Sequence, residues 1–122
     1  MSQPVPPGDG YAPLDAESVG ILTALVTEPF PGRDEIALQI AVARSRRIDD
    51  DGCLALSARE APQATVLRRI PIEAEAQDLD GATIHILLHV VDGYIDELEL
   101  YREDGRALMA PVRTEALRIV AF

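Results

Sequence analysis

The chain has 122 residues, 21 acidic and 11 basic, and a formal net charge of -10 at pH 7. This length predicts a single domain with a single hydrophobic core. Because the negative field repels phosphate backbones and anionic lipid, we expect no nucleic acid and no membrane as partner, and a basic protein is favoured instead.

The residue types indicate the cellular context of the protein. All the basic residues are Arg, and the sequence contains no Lys and no Asn, which is typical of high-GC bacterial genomes. Cys53 is the only cysteine, so an internal disulfide and a thiolate metal cluster are both excluded. The segment MSQPVPPGDGYAP lacks the basic-then-apolar order of a signal peptide, and no apolar run approaches the roughly 18 residues of a membrane span. These features predict a cytoplasmic protein.

The N-terminal third predicts an arm and a first helix. Residues 1–13 are rich in Pro and Gly and predict a flexible arm, followed by one α+β domain over residues 14–122. Asp15 can cap a helix that runs to about residue 27, with Leu14 packed onto Val19 across the cap. The stripe expected to be buried on this helix is Val19, Leu22, Leu25 and Val26.

A second helix is predicted from residue 32, with acidic residues in its first turn. It should bury Ile36, Ile40 and Ala43, which share one helical face. Residues 42–48 either continue this helix or form a first strand. In both cases residues 49–52, with the sequence DDDG, form a turn.

From Cys53 onward the pattern indicates strands. The candidates are residues 53–58, the β-prone residues 65–70, the alternating residues 72–77, residues 82–91 and residues 95–101, with turns at 80–81 and 92–93. The final run, 117–122, fits a strand or a helix, and a strand is favoured. The predicted fold is α+β, with two N-terminal helices packed on one face of an antiparallel four- to five-stranded meander sheet.

The connection at residues 92–93 decides which side chains share a face. A plain two-residue turn would place the apolar row of residues 84, 86, 88 and 90 beside Glu97 and Glu99. A three-residue connection, or a two-residue turn with a bulge, places that row beside Leu98 and Leu100 instead. We expect the second register, because burying both apolar rows together stabilises the fold by about 1.5 to 3 kcal/mol per large side chain.

This register gathers seven polar residues on the face away from the core. They are Glu73, Glu75, His85, His89, Glu97, Glu99 and Tyr101. His85 and His89 lie roughly 13 Å apart at about 3.3 Å per strand residue, so they cannot share one metal ion. His89 is expected to lie opposite Glu97, close enough for an ion pair. The seven residues are predicted to bind a partner, and no metal-binding residue is predicted.

Other patterns give no catalytic or cofactor site. The run beginning at Asp49 fails the EF-hand spacing, and Cys53, beside three aspartates, is expected to be a buried core residue. Two basic clusters, residues 44–47 and 68–69, are expected to be counter-charges to an acidic surface. No nucleophile motif, phosphate loop or dinucleotide fingerprint occurs, so an enzyme is disfavoured and no cofactor is expected.

The stretch VVDGYIDELELYREDG, with IEAEAQDLDGATIHILLH before it, resembles a family of small uncharacterised acidic proteins of high-GC bacteria. The resemblance covers roughly residues 72–105 and implies an α+β fold, without a catalytic residue to carry over. Proteins of similar size and acidity resemble immunity partners of secreted toxins.

Three functions remain open from the sequence. The first is a small acidic protein-binding module, immunity or antitoxin-like, that neutralises a basic partner. The second is a homodimer or larger homo-oligomer of structural or regulatory role. The third is a small ligand-binding protein without catalysis that uses a cleft between helices and sheet.

Overall fold

The computed structural model describes residues 10–120, which form an α+β fold with two helices and a seven-stranded antiparallel sheet. The helices are α1 (Ala16–Leu25) and α2 (Arg33–Val42), and a 3-10 turn covers Thr114–Ala116. The strands are β1 (Ala12–Pro13), β2 (Arg44–Arg47), β3 (Leu54–Ser57), β4 (Ile72–Gln77), β5 (Thr83–Val91), β6 (Tyr94–Arg102) and β7 (Arg118–Val120). The predicted α+β class and antiparallel sheet are confirmed.

The strand order is β1-β2-β3-β6-β5-β4-β7, so the predicted four- to five-stranded meander is wrong in strand number and in order. Residues 58–71 carry the chain from β3, beside β6, to β4 on the far side of β5, and the C-terminal β7 joins the outer edge of β4. A meander assumes that strands adjacent in sequence also pair, and the long connection removes that condition.

The first helix begins as predicted, but its buried stripe differs. The Asp15 carboxylate accepts a hydrogen bond from the Ser18 amide at 2.7 Å, which is the expected N-cap. Leu22 and Leu25 are fully buried, whereas Val19 is 40% exposed. The prediction for Val19 is wrong because Ile21 takes the place beside Leu22 in the core, and this rotation turns Val19 to the rim.

The second helix buries Ile36, Ile40 and Ala43 as predicted, and it also buries Gln39 completely. Of the two alternatives for residues 42–48, the strand is correct, since β2 pairs with β3. Residues 65–70 form no strand, and their one backbone hydrogen bond with β5 runs from the Val90 amide to the Arg69 carbonyl.

The two chain ends extend the sheet at its edges. Residues 1–9 of the predicted arm and residues 121–122 of the final run lie outside the described residues. Within the described part, β1 pairs with β2, and the favoured strand at the C-terminus is β7 over Arg118–Val120.

The central hairpin has the predicted register. Asp92 and Gly93 form a two-residue turn with φ of 54° and 79°, and a β-bulge lies between His89 and Val90. Beyond the bulge Leu88 pairs with Leu98, so both leucines point into the core.

The hydrophobic core lies between the helices and the inner face of the sheet. Helix α1 contacts β4 and α2 contacts β6, and side chains of both helices join the apolar rows of β4, β5 and β6 in one cluster. Neither described helix, at ten residues each, has the length of a membrane-spanning helix. The opposite side of the sheet is therefore left for polar residues, and we call it the outer face.

Candidate functional site

All seven predicted site residues lie on the outer face. Across β4, β5 and β6 they follow the strand register: Glu75 pairs with His85 and His85 with Tyr101, Glu73 and Glu99 both pair with Leu87, and His89 pairs with Glu97. The structure thus brings the predicted residues together, and it divides them into two groups, one around each histidine.

His85 is held between two carboxylates. Its Nδ1 lies 3.0 Å from Glu73 Oε2 and its Nε2 lies 3.1 Å from Glu103 Oε1. A carboxylate can only accept, so the doubly protonated imidazolium is the form of the ring that satisfies both contacts. Burial opposes this charge, but the hydrogen bonds and charges of Glu103 and Glu73 outweigh it and raise the pKa of His85. The side chain is 15% exposed.

His89 also contacts a carboxylate with one ring nitrogen, but its other ring nitrogen faces a cation. Arg69 Nε donates to His89 Nδ1 at 3.1 Å, and His89 Nε2 lies 2.8 Å from Glu99 Oε1. Because Arg has no acceptor, Nδ1 carries the lone pair and Nε2 carries the proton that is donated to Glu99. Glu97 lies opposite His89 as predicted, but the hydrogen bond goes to the diagonal neighbour Glu99, so the predicted ion pair with Glu97 is wrong.

Tyr101 is a large aromatic side chain on the outer face. It is 41% exposed, and its ring stacks on His85 with centroids 5.0 Å apart and planes 24° apart. Partial burial, followed by the charges of Glu73, Glu99 and Glu103, raises the pKa of the Tyr101 hydroxyl. This hydroxyl therefore stays protonated and can donate a hydrogen bond.

Cationic side chains offset part of the acidity of the outer face. Arg118 on β7 forms an ion pair with Glu75, and Arg69, from the connection before β4, contacts His89. Arg69 thus contacts a histidine and not a carboxylate, and the prediction that residues 68–69 act as counter-charges stays a prediction. Of the four glutamates predicted as site residues, Glu97 is the one whose side chain makes no hydrogen bond or ion pair within residues 10–120.

Two groups of possible metal ligands lie on the outer face, and sequence reasoning did not resolve them. They are Glu73 with Glu75 and His85, and His89 with Glu97 and Glu99, and within each group the ligand atoms lie within 4.8 Å of one another. The sequence argument considered only an ion shared by the two histidines, which lie in different groups. The signal that could have found the groups is the cross-strand pairing of each histidine with a strand that carries alternate glutamates.

A buried ionic cluster was missed altogether. The Arg102 guanidinium is 3% exposed and binds three carboxylates, with Asp78 at 3.0 Å, Asp80 at 3.0 Å and Asp104 at 2.6 Å. These residues come from the sequences DLDG and REDG, which lie in turns at the same end of β4, β5 and β6. The cluster joins two turns and the Met109 amide, so its role is structural.

Cys53 is buried, as predicted. Its thiol accepts from the Leu100 amide and donates to the Leu100 carbonyl, both at 3.2 Å, and burial raises its pKa to about 12. A thiol with that pKa is no nucleophile at neutral pH.

Two clefts lie away from the histidines. One of about 590 Å³ is lined by residues 63–69 with Val90, Asp92 and Gly93, and one of about 470 Å³ lies between β4 and residues 110–116. Neither lining includes His85 or His89, although Arg69, which donates to His89, also lines the first cleft.

Comparison with known proteins gives one match. A family model described as a domain of unknown function (DUF6984) matches residues 12–111, which contain both helices, six strands and all seven residues of the outer face. No curated protein and no solved structure matches the chain.

Proposed function

Because the chain belongs to the DUF6984 family, whose description names no activity, we propose its function from its geometry: it is a small protein-binding module that captures a basic protein on the outer face. The observation that carries this proposal is that Glu73, Glu75, Glu97, Glu99 and Tyr101 share a sheet surface away from both helices. An Arg-rich or Lys-rich partner matches that surface in charge.

The β4 side and the β6 side of the outer face differ in whether a cation already pairs with their carboxylates. On the β4 side Glu75 is engaged by Arg118, whereas on the β6 side Glu97 has no partner among residues 10–120 and Glu99 shares one oxygen with His89. An incoming guanidinium can therefore reach Glu97 and Glu99 without displacing an internal cation. We place the centre of the contact on β6.

Tyr101 supplies the apolar part of the contact. Its exposed ring, backed by His85, loses few rotamers on binding, and Tyr and Arg are the residues most enriched where binding energy concentrates. Long-range attraction by the net charge of -10 would raise the association rate, and this contribution falls with salt.

The test is affinity capture from an extract of the source cells. We expect the full chain to retain a basic protein, and expect Glu97→Lys with Glu99→Lys to lose it. A milder pair, Glu97→Gln with Glu99→Gln, keeps an oxygen acceptor for His89 and should weaken capture while leaving the unfolding midpoint in place. Circular dichroism and urea unfolding confirm that each variant is folded.

The matched control changes the same number of charges on the helical side, with Glu28→Lys and Asp34→Lys. Both residues are exposed, so the net charge shifts equally while the outer face is untouched. If the variant with Glu97→Lys and Glu99→Lys captures the same protein as wild type does, the proposal is refuted. A tight dimer by light scattering that Glu97→Lys dissociates would assign the outer face to a second copy of the chain.

A narrower form of the proposal is that the partner is a toxin and that this chain is its immunity or antitoxin-like inhibitor. Its support is the small size and the acidity of the chain. Expression of the captured protein alone should arrest growth, and co-expression of the chain should restore it. Growth unaffected by the partner would remove the inhibitory role and leave the binding role.

A further inference from the structure

We propose that Glu73, Glu75 and His85 form a binding site for one divalent transition-metal ion, such as Zn²⁺, on the β4 side of the outer face. The site goes beyond the proposed capture of a protein, which centres on β6, although its three residues belong to the seven of the outer face and His85 backs the Tyr101 ring. Its donors are one imidazole nitrogen and two carboxylate oxygens from adjacent strands, a set that Zn²⁺ accepts, with solvent completing the coordination.

The spacing of the donor atoms suits a single ion. At about 2.1 Å from the metal, tetrahedral ligands lie about 3.4 Å from one another. His85 Nδ1 and Glu73 Oε2 are already 3.0 Å apart, and the three donors lie within 4.8 Å of one another.

The second nitrogen of His85 is held as metal-bound histidines require. Glu103, which is outside the donor set, accepts the Nε2 proton at 3.1 Å and so fixes the ring with Nδ1 towards Glu73. A carboxylate on the far nitrogen orients a ligating histidine and raises its basicity. On binding, the Nδ1–H bond breaks, the proton leaves to solvent, and Nδ1 donates its electron pair to the metal.

Two cationic groups already lie on these carboxylates. The imidazolium proton points at Glu73, and the Arg118 guanidinium lies on Glu75. The Arg118 side chain is 74% exposed, so it can move away when a metal arrives, whereas the side chains of His85 and Glu73 are 15% and 18% exposed and are held in place. The site thus attracts positive charge and has one displaceable cation.

The second histidine group provides an internal control. Arg69 donates to His89 Nδ1, so the proton of that ring lies on Nε2, the nitrogen that faces Glu99. Binding through Nε2 would move the proton to Nδ1, where it would face the Arg69 donor. The contacts therefore favour His85 over His89 as the metal ligand, although the two ligand sets are alike.

The experiment is calorimetric titration of the full chain with Zn²⁺ alone, after treatment with a chelator and dialysis. We expect one ion per chain with micromolar affinity. Glu75→Gln and His85→Asn should each weaken binding at least about tenfold, and Glu103→Gln, which leaves all three donors in place, should weaken it by about tenfold as outer partners do. His89→Asn should bind as wild type does.

A second measurement guards against unfolded variants. In ¹⁵N-histidine spectra, Zn²⁺ should shift the His85 Nδ1 resonance most and leave His89 nearly unchanged, and unfolding by urea should show that Glu75→Gln retains the fold. Absence of micromolar Zn²⁺ binding would overturn the proposal. Binding that survives His85→Asn, or that is lost in His89→Asn, would overturn it too.

Discussion

The Gln39 side chain connects a helix to the turn that sets the register of the outer face. It is fully buried on α2; its Nε2 donates to the Pro62 carbonyl at 2.9 Å and to the Gly93 carbonyl at 2.8 Å, and its Oε1 accepts from the Ile95 amide at 2.8 Å. We expect Gln39→Leu, which keeps the approximate volume and removes all three bonds, to destabilise the protein and to loosen the turn.

The magnitude follows from which groups lose their partners. The buried Ile95 amide is left unsatisfied, which costs about 1 to 3 kcal/mol, and the Pro62 carbonyl loses a bond with a net contribution of about 0.5 to 1.5 kcal/mol. The Gly93 carbonyl still accepts from the Ala64 amide at 2.9 Å and loses little. The free energy of unfolding should therefore fall by about 2 to 4 kcal/mol.

Urea unfolding measures this change, and amide hydrogen exchange locates it at Ile95. The control is Leu38→Gln at the preceding helix position, where the side chain is 55% exposed and the effect should stay within about 0.5 kcal/mol. Gln39→Glu should be worse than Gln39→Leu at neutral pH, because its carboxylate faces two carbonyl oxygens. A loss below about 1 kcal/mol, or unchanged protection at Ile95, would refute the reasoning.

Two further predictions concern the turns. A Cβ on Gly93 would lie 2.5 Å from the Ala64 carbonyl oxygen, whereas a Cβ on Gly81, which also has positive φ, would meet nothing within 4 Å. Gly93→Ala should therefore lower the free energy of unfolding in urea by about 1 to 3 kcal/mol more than Gly81→Ala does. Equal losses of stability in the two variants would contradict this. Hydrogen bonds from Arg102 lower the pKa of Asp80 and Asp104, so these carboxylates bind fewer protons in the folded state than in the unfolded state. The stabilisation that the Arg102 cluster contributes should therefore be present above about pH 4 and be lost as the pH falls below it. Arg102→Met should flatten that fall in acid titrations followed by circular dichroism, whereas an unchanged slope would show that the cluster does not govern it.

The central hairpin could be predicted because its constraint is local. The alternation of ELEL is visible in the sequence, and a bulge or a three-residue connection aligns it with the apolar row of β5, since a one-residue shift moves every side chain to the other face. The same argument predicts from the sequence that His85, His89 and Tyr101 share one face.

The missing parts of the fold depend on contacts that are distant in sequence. Strand β2 reads RSRR, with no apolar alternation, and it is a strand because it pairs with β3. Strands β1 and β7, of two and three residues, exist only as edges of a sheet that other segments build. The buried Arg102 was missed for the same reason, since its partners lie in turns that only the folded sheet brings together.

The two histidines show why a site cannot be assigned from a face alone. Both lie on β5 with glutamates on the neighbouring strands, and the residues that distinguish them come from other segments. Arg69 from the connection before β4 donates to His89 Nδ1, while Glu73 on β4 and Glu103, just after β6, contact the two ring nitrogens of His85. The outer face thus has a β4 side that binds a cation of its own and a β6 side whose acidity remains for a partner. Metal binding and partner capture should accordingly be separable by substitutions on different strands.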